Sequence, residues 1–331
     1  MINSNHIITA DLGGTKMVIA LVSPKGEIVD RHRQPTMAQD GPETVIERLY
    51  SSIDFLLDRN NTLPRQLEAM SLGIAGIIDT RNGIVDKAPN LPGWENLRLK
   101  DKICDRYTVP VHILNEADAA ALGEHRGGAG RGLKNIILVT LGTGIGGGLV
   151  LDGKLFLGSS GSAFEIGHMV IKDDGPVCGC GKNGCLETLA SGTAIGREAR
   201  RRITEGETSV LVDMVEGSIE NITAEKVHEA AKQDDPLALR VLAGASYYLG
   251  LGMINLVSII NPQMIIVGGS VARIGNLLLD PVRQMVKDKT FALMVKDLKI
   301  VQARLGEDAG LIGAAAYALD QKQDSLTARC T

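Results

Sequence analysis

The sequence lacks a strong net charge, a long apolar run and the residue pattern of a signal peptide at its start, and each shortage argues against a class of protein. Its formal net charge is -4 and its pI is near 5.9, unlike the basic balance of nucleic-acid-binding proteins. No apolar run approaches the roughly 18 residues of a transmembrane helix. The N-terminus, MINSNHIITADLGG, has no basic region followed by an apolar stretch, so we expect no signal peptide. We therefore expect a cytoplasmic protein without nucleic-acid or membrane partners.

Cysteine is scarce, and its distribution excludes a disulfide framework. There are five cysteines, an odd number, and three of them lie within eight residues. This clustering indicates a metal site in a reducing compartment. Three thiolates and one imidazole form a closed four-ligand set, which is typical of structural Zn²⁺. The candidate ligands are His168, Cys178, Cys180 and Cys185. Cys104 and Cys330 lie apart, and we expect them to be small apolar or surface residues.

Apolar periodicity predicts an α/β protein whose architecture is duplicated. A strand, a Gly/Thr loop and a second strand occur at 7–22 and again at 136–151. A length of 331 residues is compatible with two domains. The predicted strands are 6–12, 17–22, 27–34, 67–74, 111–114, 135–141, 148–157 (a hairpin) and 264–267. The predicted helices are 43–59, 116–125, 193–204, 223–233, 236–260 and 309–320.

The first glycine loop, DLGGTK, lies at the turn between two predicted strands. Gly13 and Gly14 would let backbone amides approach a phosphate closely. Thr15 adds a hydroxyl donor, Lys16 a cation, and Asp11 a carboxylate that could hold Mg²⁺ directly or through water. The plainer interpretation, a simple β-turn, stays open at this point.

The second glycine loop, LGTGIGGG at 141–148, contains a G-x-G-x-x-G pattern. In a dinucleotide-binding fold this pattern opens a helix, whereas here it runs into the hairpin LVLDGKLFL. The Walker A motif is also absent. We therefore interpret the segment as a second phosphate loop, or else as a glycine-rich hairpin required for tight packing. The residues assigned to it are Gly142, Thr143, Gly144 and Gly146.

A third glycine segment follows the predicted strand at 264–267. It consists of Gly268 and Gly269, where adenosine could lie close to the backbone.

Four acidic residues are candidates for catalysis or binding. Glu116 and Asp118 begin the helix that follows Asn115, where they could simply offset the helix dipole while Asn115 caps the helix. The functional interpretation is a general base that accepts a hydroxyl proton during phosphoryl transfer. Glu165 and Glu187 lie next to the candidate metal ligands, either as acids that orient a sugar or as surface acids.

These motifs together resemble the repressor–open-reading-frame–kinase (ROK) family of sugar kinases, in its bacterial glucokinase branch. The resemblance spans nearly the whole chain. It rests on DLGGTK (11–16), PNLPGW (89–94), the N-x-A-x-A-A-A-L-G-E frame (115–124), LGTGIGGG (141–148), EIGHM (165–169), CGCGKNGCLE (178–187) and GLIGAA (310–315).

The resemblance implies an actin-like, hexokinase-type fold with two ribonuclease-H-like lobes and a cleft between them. We expect a smaller lobe at 1–118 plus the C-terminal helix at about 310–331, and a larger lobe at 119–309. ATP would lie on the two glycine loops with Mg²⁺. The sugar contacts implied are Asn90, Asn115, Glu165, His168 and Glu187.

One departure from the family pattern concerns the catalytic base. The family has Asn-Asp at this corner, whereas this chain has Asn115-Glu116. The extra methylene moves the carboxylate by about one C–C bond, and misplacement on that scale can cost about 100-fold in rate. Asp118 is the alternative base.

The resemblance predicts an ATP-dependent hexose kinase, with glucose as the expected acceptor and a homodimer or higher homo-oligomer as the assembly. One alternative keeps the chemistry but uses N-acetylmannosamine, N-acetylglucosamine or fructose. Another is a sugar-binding sensor without catalysis. The family's repressors carry an N-terminal helix-turn-helix, and we expect none here because the sequence opens on its first strand.

Overall fold

The computed structural model describes residues 5–327, and the side chains of residues 5–323. Cys330 lies outside these residues. The strands are β1 (His6–Leu12), β2 (Lys16–Val22), β3 (Ile28–Pro35), β4 (Leu67–Ile74), β5 (Ile77–Asp79), β6 (Ile84–Lys87), β7 (Glu95–Leu97), β8 (Val111–Asn115), β9 (Ile136–Leu141), β10 (Ile145–Leu151), β11 (Lys154–Leu155), β12 (Met264–Gly268) and β13 (Lys299–Gln302).

The helices follow the predicted pattern in most places. They are α1 (Pro42–Arg59), α2 (Leu99–Tyr107), α3 (Glu116–Gly127), α4 (Leu186–Ala190), α5 (Gly192–Thr204), α6 (Leu211–Met214), α7 (Ala224–Ala231), α8 (Pro236–Ile260), α9 (Asn276–Lys289), α10 (Ala292–Val295) and α11 (Ala309–Thr327).

The first of two compact units comprises Met1–Ile136, Gly148–Phe164 and Arg304–Thr331. Its main sheet has the order β3-β2-β1-β4-β8, and β1, β4 and β8 run parallel. Because both faces of the sheet are covered, the central strands are almost continuously apolar. One face packs on α1 in the larger core, and the other face packs on α11. The register pairs Leu12 with Ile74 and Ile74 with Asn115, so the carboxyl ends of β1, β4 and β8 share one edge.

Helices α3 and α11 approach each other closely, and glycine makes this approach possible. A Cβ at Gly313 would lie 1.6 Å from the Ala119 carbonyl oxygen, and one at Gly123 would lie 2.0 Å from that of Ala309. No side chain fits at such distances. This contact explains why both segments are rich in glycine and alanine, and it keeps α3 in place behind the edge of the sheet.

The second unit comprises Ile137–Gly147 and Glu165–Ala303. A second five-stranded sheet has the order β11-β10-β9-β12-β13, with β12 and β13 parallel and β10 and β11 antiparallel. The second unit contains β12, β13, nearly all of β9 and the start of β10, whereas Gly148–Leu151 and β11 are assigned to the first unit. In both sheets the first strand lies between its hairpin partner and a strand from later in the chain. This repetition confirms the predicted duplication. Helices α5, α7 and α9 pack around α8 in this unit.

Helix α8 corrects one expectation from the sequence. It is long and apolar enough to cross a membrane by length and composition, with a mean hydropathy of 1.4 over an 18-residue window. Ser246, Asn255 and Ser258 interrupt the apolar run, so a search for an unbroken run misses it. More than half of this window is buried inside the structure, as in the core helix of a globular protein.

Several elements were not predicted from the sequence. They are the small antiparallel sheet β5-β6-β7, the strand β13, the helices α2 and α9, and the short helices α4, α6 and α10. The expected boundary between the lobes, after residue 118, falls inside α3, whereas the structure keeps all of α3 in the first unit. Helix α3 stays with the first unit because it packs closely on α11.

Candidate active site

The DLGGTK segment forms the tight turn between β1 and β2. The Gly13 N–H donates to the Lys16 carbonyl at 3.1 Å, and the Thr36 hydroxyl donates to the Gly13 carbonyl at 2.6 Å. A Cβ at Gly14 would lie 2.5 Å from the Asn90 carbonyl oxygen. The structure therefore brings two predicted site segments together, because only glycine lets the backbone of Asn90 rest on this turn.

The PNLPGW segment is held in shape by its own backbone and by one buried ring. The Leu91 N–H donates to the Ala88 carbonyl at 2.9 Å, and the Trp94 N–H donates to the Leu91 carbonyl at 3.1 Å. Trp94 is 1% exposed and anchors the loop in the core of the first unit. Asn90 is left exposed.

Asp11 and Glu116 lie at the shared carboxyl edge of β1 and β8. Burial raises the pKa of Asp11 to about 6, although Lys16 lowers it. Glu116 is accessible to solvent, yet the protein around its carboxyl desolvates it, and together with the charge of Asp11 this raises its pKa to about 7. A carboxyl with a pKa near neutrality can accept a proton at physiological pH.

Asn115 caps α3, as the sequence indicated. Its Oδ1 accepts hydrogen bonds from the backbone N–H groups of Ala117 and Asp118 at 2.7 and 3.4 Å. Its Nδ2 donates to the Gly76 carbonyl at 2.7 Å. One amide hydrogen of Asn115 is not used by these bonds. Asp118 is only 2% exposed, in contrast to the accessible Glu116.

The four cysteine and histidine ligands predicted from the sequence come together in the second unit. Their ligand atoms all lie within 4.8 Å of one another. The Cys180 and Cys185 sulfurs are 3.7 Å apart, and His168 Nδ1 lies 3.6 Å from the Cys178 sulfur. Tetrahedral zinc with bonds of about 2.0–2.3 Å would give edges of about 3.5–3.8 Å. The distances of 3.7 and 3.6 Å match the edges of a zinc tetrahedron, and the limit of 4.8 Å means that small side-chain movements would complete the site.

The backbone around the cluster explains the spacing of its glycines. The Cys178 N–H donates to the Lys182 carbonyl at 2.8 Å, which closes the knuckle that carries Cys180. A Cβ at Gly184 would lie 1.5 Å from the Lys172 carbonyl oxygen, and the φ of Gly184 is +64°. Glycine is therefore required immediately before Cys185.

Glu165 and Glu187 both lie beside the cluster. Burial raises the pKa of Glu165, and the charge of Glu187 adds to this effect while His168 opposes it. Glu187 Oε2 accepts a hydrogen bond from the Ile145 N–H at 2.9 Å, and its Oε1 lies 4.0 Å from the Cys178 sulfur. Glu187 thus lies between the cluster and the second glycine loop.

The second glycine loop leads into β10 and not into a helix, which confirms the rejection of a dinucleotide fold. The loop closes through the Gly142 N–H, which donates to the Gly144 carbonyl at 3.0 Å. The third loop packs against it, because a Cβ at Gly269 would lie 2.2 Å from the Leu141 carbonyl oxygen and its φ is +90°. The two loops predicted to contact nucleotide in this unit are therefore adjacent.

Sequence reasoning missed the segment that supports this loop. The Gly192 N–H donates to the Gly142 carbonyl at 2.8 Å, and the Thr193 hydroxyl donates to the Thr143 carbonyl at 2.8 Å. Ser191 caps α5 by accepting from the Ala194 N–H. Ser191-Gly192 can be recognised as a helix start in the sequence, but nothing there indicates which carbonyls its amides would reach.

Comparison with known proteins identifies the family of the chain. The sequence model of the ROK protein family matches residues 7–321 of this chain. The chain belongs to the ROK family. It is 38% identical over 321 residues to a glucokinase of Halalkalibacterium halodurans, covering 96% of each chain. It is also 30% identical to a xylose repressor of Caldicellulosiruptor bescii, covering 95% of this chain and 78% of the repressor.

The solved structures confirm the fold class. A ROK glucokinase from Streptomyces griseus, in complex with glucose and AMPPNP, superposes with a TM-score of 0.80 at 35% identity. The match covers 94% of this chain and 98% of that one. The ROK chain described here therefore has the actin-like, hexokinase-type α/β fold that the motifs predicted.

Proposed function

We propose that this ROK protein is an ATP-dependent hexose kinase with glucose as its acceptor. The observation that carries the proposal is Glu116, an accessible carboxyl beside Asp11 with a pKa of about 7. Such a group is deprotonated in a large fraction of molecules near neutral pH and can accept a proton there. The similarity to glucokinases supports glucose as the acceptor.

The proposed reaction is an in-line phosphoryl transfer. Glu116 accepts the proton of the sugar 6-hydroxyl while the oxygen of that hydroxyl attacks the γ-phosphorus of ATP. The bond between that phosphorus and the β–γ bridging oxygen breaks, and ADP leaves with the electron pair. Asp11 would hold Mg²⁺, directly or through water, and this ion would supply charge neutralisation on the phosphates. Asp118 is the weaker candidate for the base because it is buried.

The residues that would bind ATP are distributed over three glycine segments. The first turn would offer backbone amides and the Thr15 hydroxyl to phosphate oxygens, which is how glycine-rich turns bind anions. Lys16 pairs with Glu307 at 2.6 Å, so it would have to exchange this partner to reach a phosphate. The other assigned residues are Gly13, Gly14, Gly142, Thr143, Gly144, Gly146, Gly268 and Gly269.

The proposed sugar contacts are Asn90, Asn115, Glu165, His168 and Glu187. Asn90 is exposed, and Asn115 has one amide hydrogen outside its capping bonds. Glu165, His168 and Glu187 would orient further hydroxyls. His168 Nδ1 faces the Cys178 sulfur, so zinc would bind at that nitrogen and Nε2 would remain for the sugar. All four coordination positions of the zinc ion would be taken by protein ligands, so its role would be structural: it would keep these side chains in place.

A coupled ADP-release assay on a panel of sugars tests this proposal. The panel contains glucose, mannose, fructose, N-acetylglucosamine and N-acetylmannosamine, each with Mg-ATP. We expect glucose to give a turnover on the order of 10 s⁻¹. Preference for an N-acetyl sugar or fructose would retain the chemistry and overturn the acceptor. No turnover from folded, zinc-loaded protein that still binds sugar would support the sensor instead.

Two wider properties belong to the same proposal. We expect a cytoplasmic enzyme, since three cysteine thiols gathered around a metal site suit a reducing compartment. We also expect a homodimer or higher homo-oligomer, because α8 leaves Tyr247 and Ile259 49% and 75% exposed. Light scattering coupled to size-exclusion chromatography measures the assembly, and a mass of one chain would contradict this expectation.

A further inference from the structure

We propose that Glu187 is a positioning residue for the nucleotide loop, and that it links the metal cluster to ATP affinity. This inference rests on the proposed function, and it gives Glu187 a role in nucleotide binding beyond the sugar contact implied by the family motif. It follows from the contacts of one short segment of the chain, Cys185–Thr193, which we call the clasp segment.

The clasp segment touches the cluster at one end and the loop at the other. Cys185 is one of the four cluster residues. Two residues later, Glu187 Oε2 accepts the Ile145 N–H at 2.9 Å. The segment then continues through α4 to Gly192 and Thr193, which bond the carbonyls of Gly142 and Thr143. Nine consecutive residues therefore include one metal ligand and three residues that bond the glycine loop.

Glu187 makes the central contact of this segment. Its carboxylate accepts a hydrogen bond from a backbone amide in the loop, and hydrogen bonds to charged groups are stronger than those between neutral groups. Ile145 is buried, so its N–H has little access to water as a replacement. An unpaired buried N–H is costly, and the loop would rearrange to avoid it.

Gly144 shows how closely the carboxylate fits the loop. A Cβ at this position would lie 2.1 Å from Glu187 Oε2 and 3.0 Å from its Cδ, and the three nearest atoms outside the adjoining chain all belong to Glu187. The φ of Gly144 is not positive, so an alanine would fit the backbone. Glycine is required there because of Glu187 and not because of the chain conformation.

The metal cluster contacts the other side of the same carboxylate. Glu187 Oε1 lies 4.0 Å from the Cys178 sulfur, and Cys185 begins the turn that carries Glu187. A zinc ion bound to the four ligands would fix both of these cysteines. The position of Glu187, and through it the Ile145 amide, would then depend on the integrity of the cluster.

The test measures binding of Mg-AMPPNP by isothermal titration calorimetry, without sugar, to the full chain and its variants. We expect Glu187→Ala to weaken binding at least tenfold, and Glu187→Gln to stay within threefold because its amide oxygen can still accept from Ile145. Gly144→Ala should weaken binding as much as Glu187→Ala, because the methyl group displaces the carboxylate. Glu205→Ala, at the exposed end of α5, is the matched control and should bind like the unaltered chain.

The double variant Gly144→Ala/Glu187→Ala tests whether the alanine at 144 acts by displacing the Glu187 carboxylate. We expect it to bind no more weakly than Glu187→Ala alone, because the methyl group then occupies the space of the missing carboxylate. Zinc content by mass spectrometry should stay at one ion per chain in all variants.

Additive losses of AMPPNP affinity in the double variant would overturn the inference. So would variants that bind AMPPNP as the unaltered chain does while only the KM for glucose rises. Either result would leave the proposed function standing. No binding by the unaltered chain would overturn both.

Discussion

Glu124 provides the sharpest stability prediction, because its carboxylate is fully buried and accepts three backbone hydrogen bonds. Its side chain is 0% exposed. Oε2 accepts from the Ala129 N–H at 2.7 Å, and Oε1 accepts from the Arg304 and Leu305 N–H groups at 2.8 and 2.7 Å. These bonds join the end of α3 to the chain that enters α11.

The magnitude follows from these three bonds. Hydrogen bonds to a charged group are each worth about 1.5–3 kcal/mol, and a buried N–H left unpaired costs about 1–3 kcal/mol. Removing the carboxylate also removes the desolvation penalty of burying it, which offsets part of this loss. We therefore expect Glu124→Ala to lower the free energy of unfolding by about 4–5 kcal/mol, at the upper end of single-site effects. Glu124→Gln keeps one oxygen but turns an NH₂ group toward one N–H, so we expect about 1.5–3 kcal/mol.

Urea unfolding followed by circular dichroism measures these losses. Hydrogen exchange should accelerate in peptides that contain Ala129, Arg304 and Leu305. Glu47→Gln on the exposed face of α1 is the control, and we expect it to change stability by less than about 0.5 kcal/mol. A loss below about 1 kcal/mol in Glu124→Ala would refute the assignment, since the three amides would then be bonding elsewhere or be well hydrated.

Three further predictions concern the site. First, kcat/KM for glucose should fall as the pH drops through about 7, because Glu116 with its raised pKa becomes protonated; a flat profile between pH 6 and 8 would exclude it as the base. Second, a raised folded-state pKa gives stability that is present below the ordinary value of 4.5 and lost as the pH rises through about 7. Glu116→Gln should therefore raise the melting temperature at pH 8 and leave it unchanged at pH 4, whereas a lower melting temperature at pH 8 would contradict this. Third, removal of zinc by a chelator should release one ion per chain and lower the melting temperature, and Cys185→Ala should reproduce the loss without chelator; metal-free protein of unchanged stability would rule out a structural zinc.

The sequence predicted the elements whose patterns are local. The strands around DLGGTK, the Ala-rich helix α3 behind its Asn115 cap, and the Cys/His cluster each lie within a short, strongly patterned stretch. The cluster in particular is encoded by spacing and by glycine, since Gly184 permits the turn into Cys185. These features could be derived because the physical constraint and the residues that satisfy it are neighbours in the chain.

What the sequence did not predict depends on long-range contacts or on weak patterns. Helix α9 contains Pro281, and because a proline normally ends a helical pattern, the sequence does not indicate this helix. The strands β5, β6 and β7 have three or four residues each, too few for a clear alternation. Glu124 bonds amides about 180 positions away, and Glu187 bonds one 42 positions earlier. Such backbone partners carry no residue identity that a motif could show.

The departure from the family pattern at Glu116 leads to a further prediction about the base. A glutamate in place of the family's aspartate still provides a carboxylate at the start of α3, and the accessible Glu116 suits the role better than the buried Asp118. Glu116→Asp, which restores the family residue, should retain activity, whereas Asp118→Asn should reduce turnover less than Glu116→Gln does.

The most direct test of the central claim is the steady-state turnover of glucose with Mg-ATP by the unaltered chain and by Glu116→Gln, with glucose affinity measured in parallel. We predict that the unaltered chain phosphorylates glucose, and that Glu116→Gln binds glucose with similar affinity while kcat falls by about 10²–10⁴, the contribution expected of a general base. Equal kcat values in the two proteins would contradict the assignment of Glu116 as the base, and the absence of turnover in the unaltered chain would contradict the proposed kinase activity.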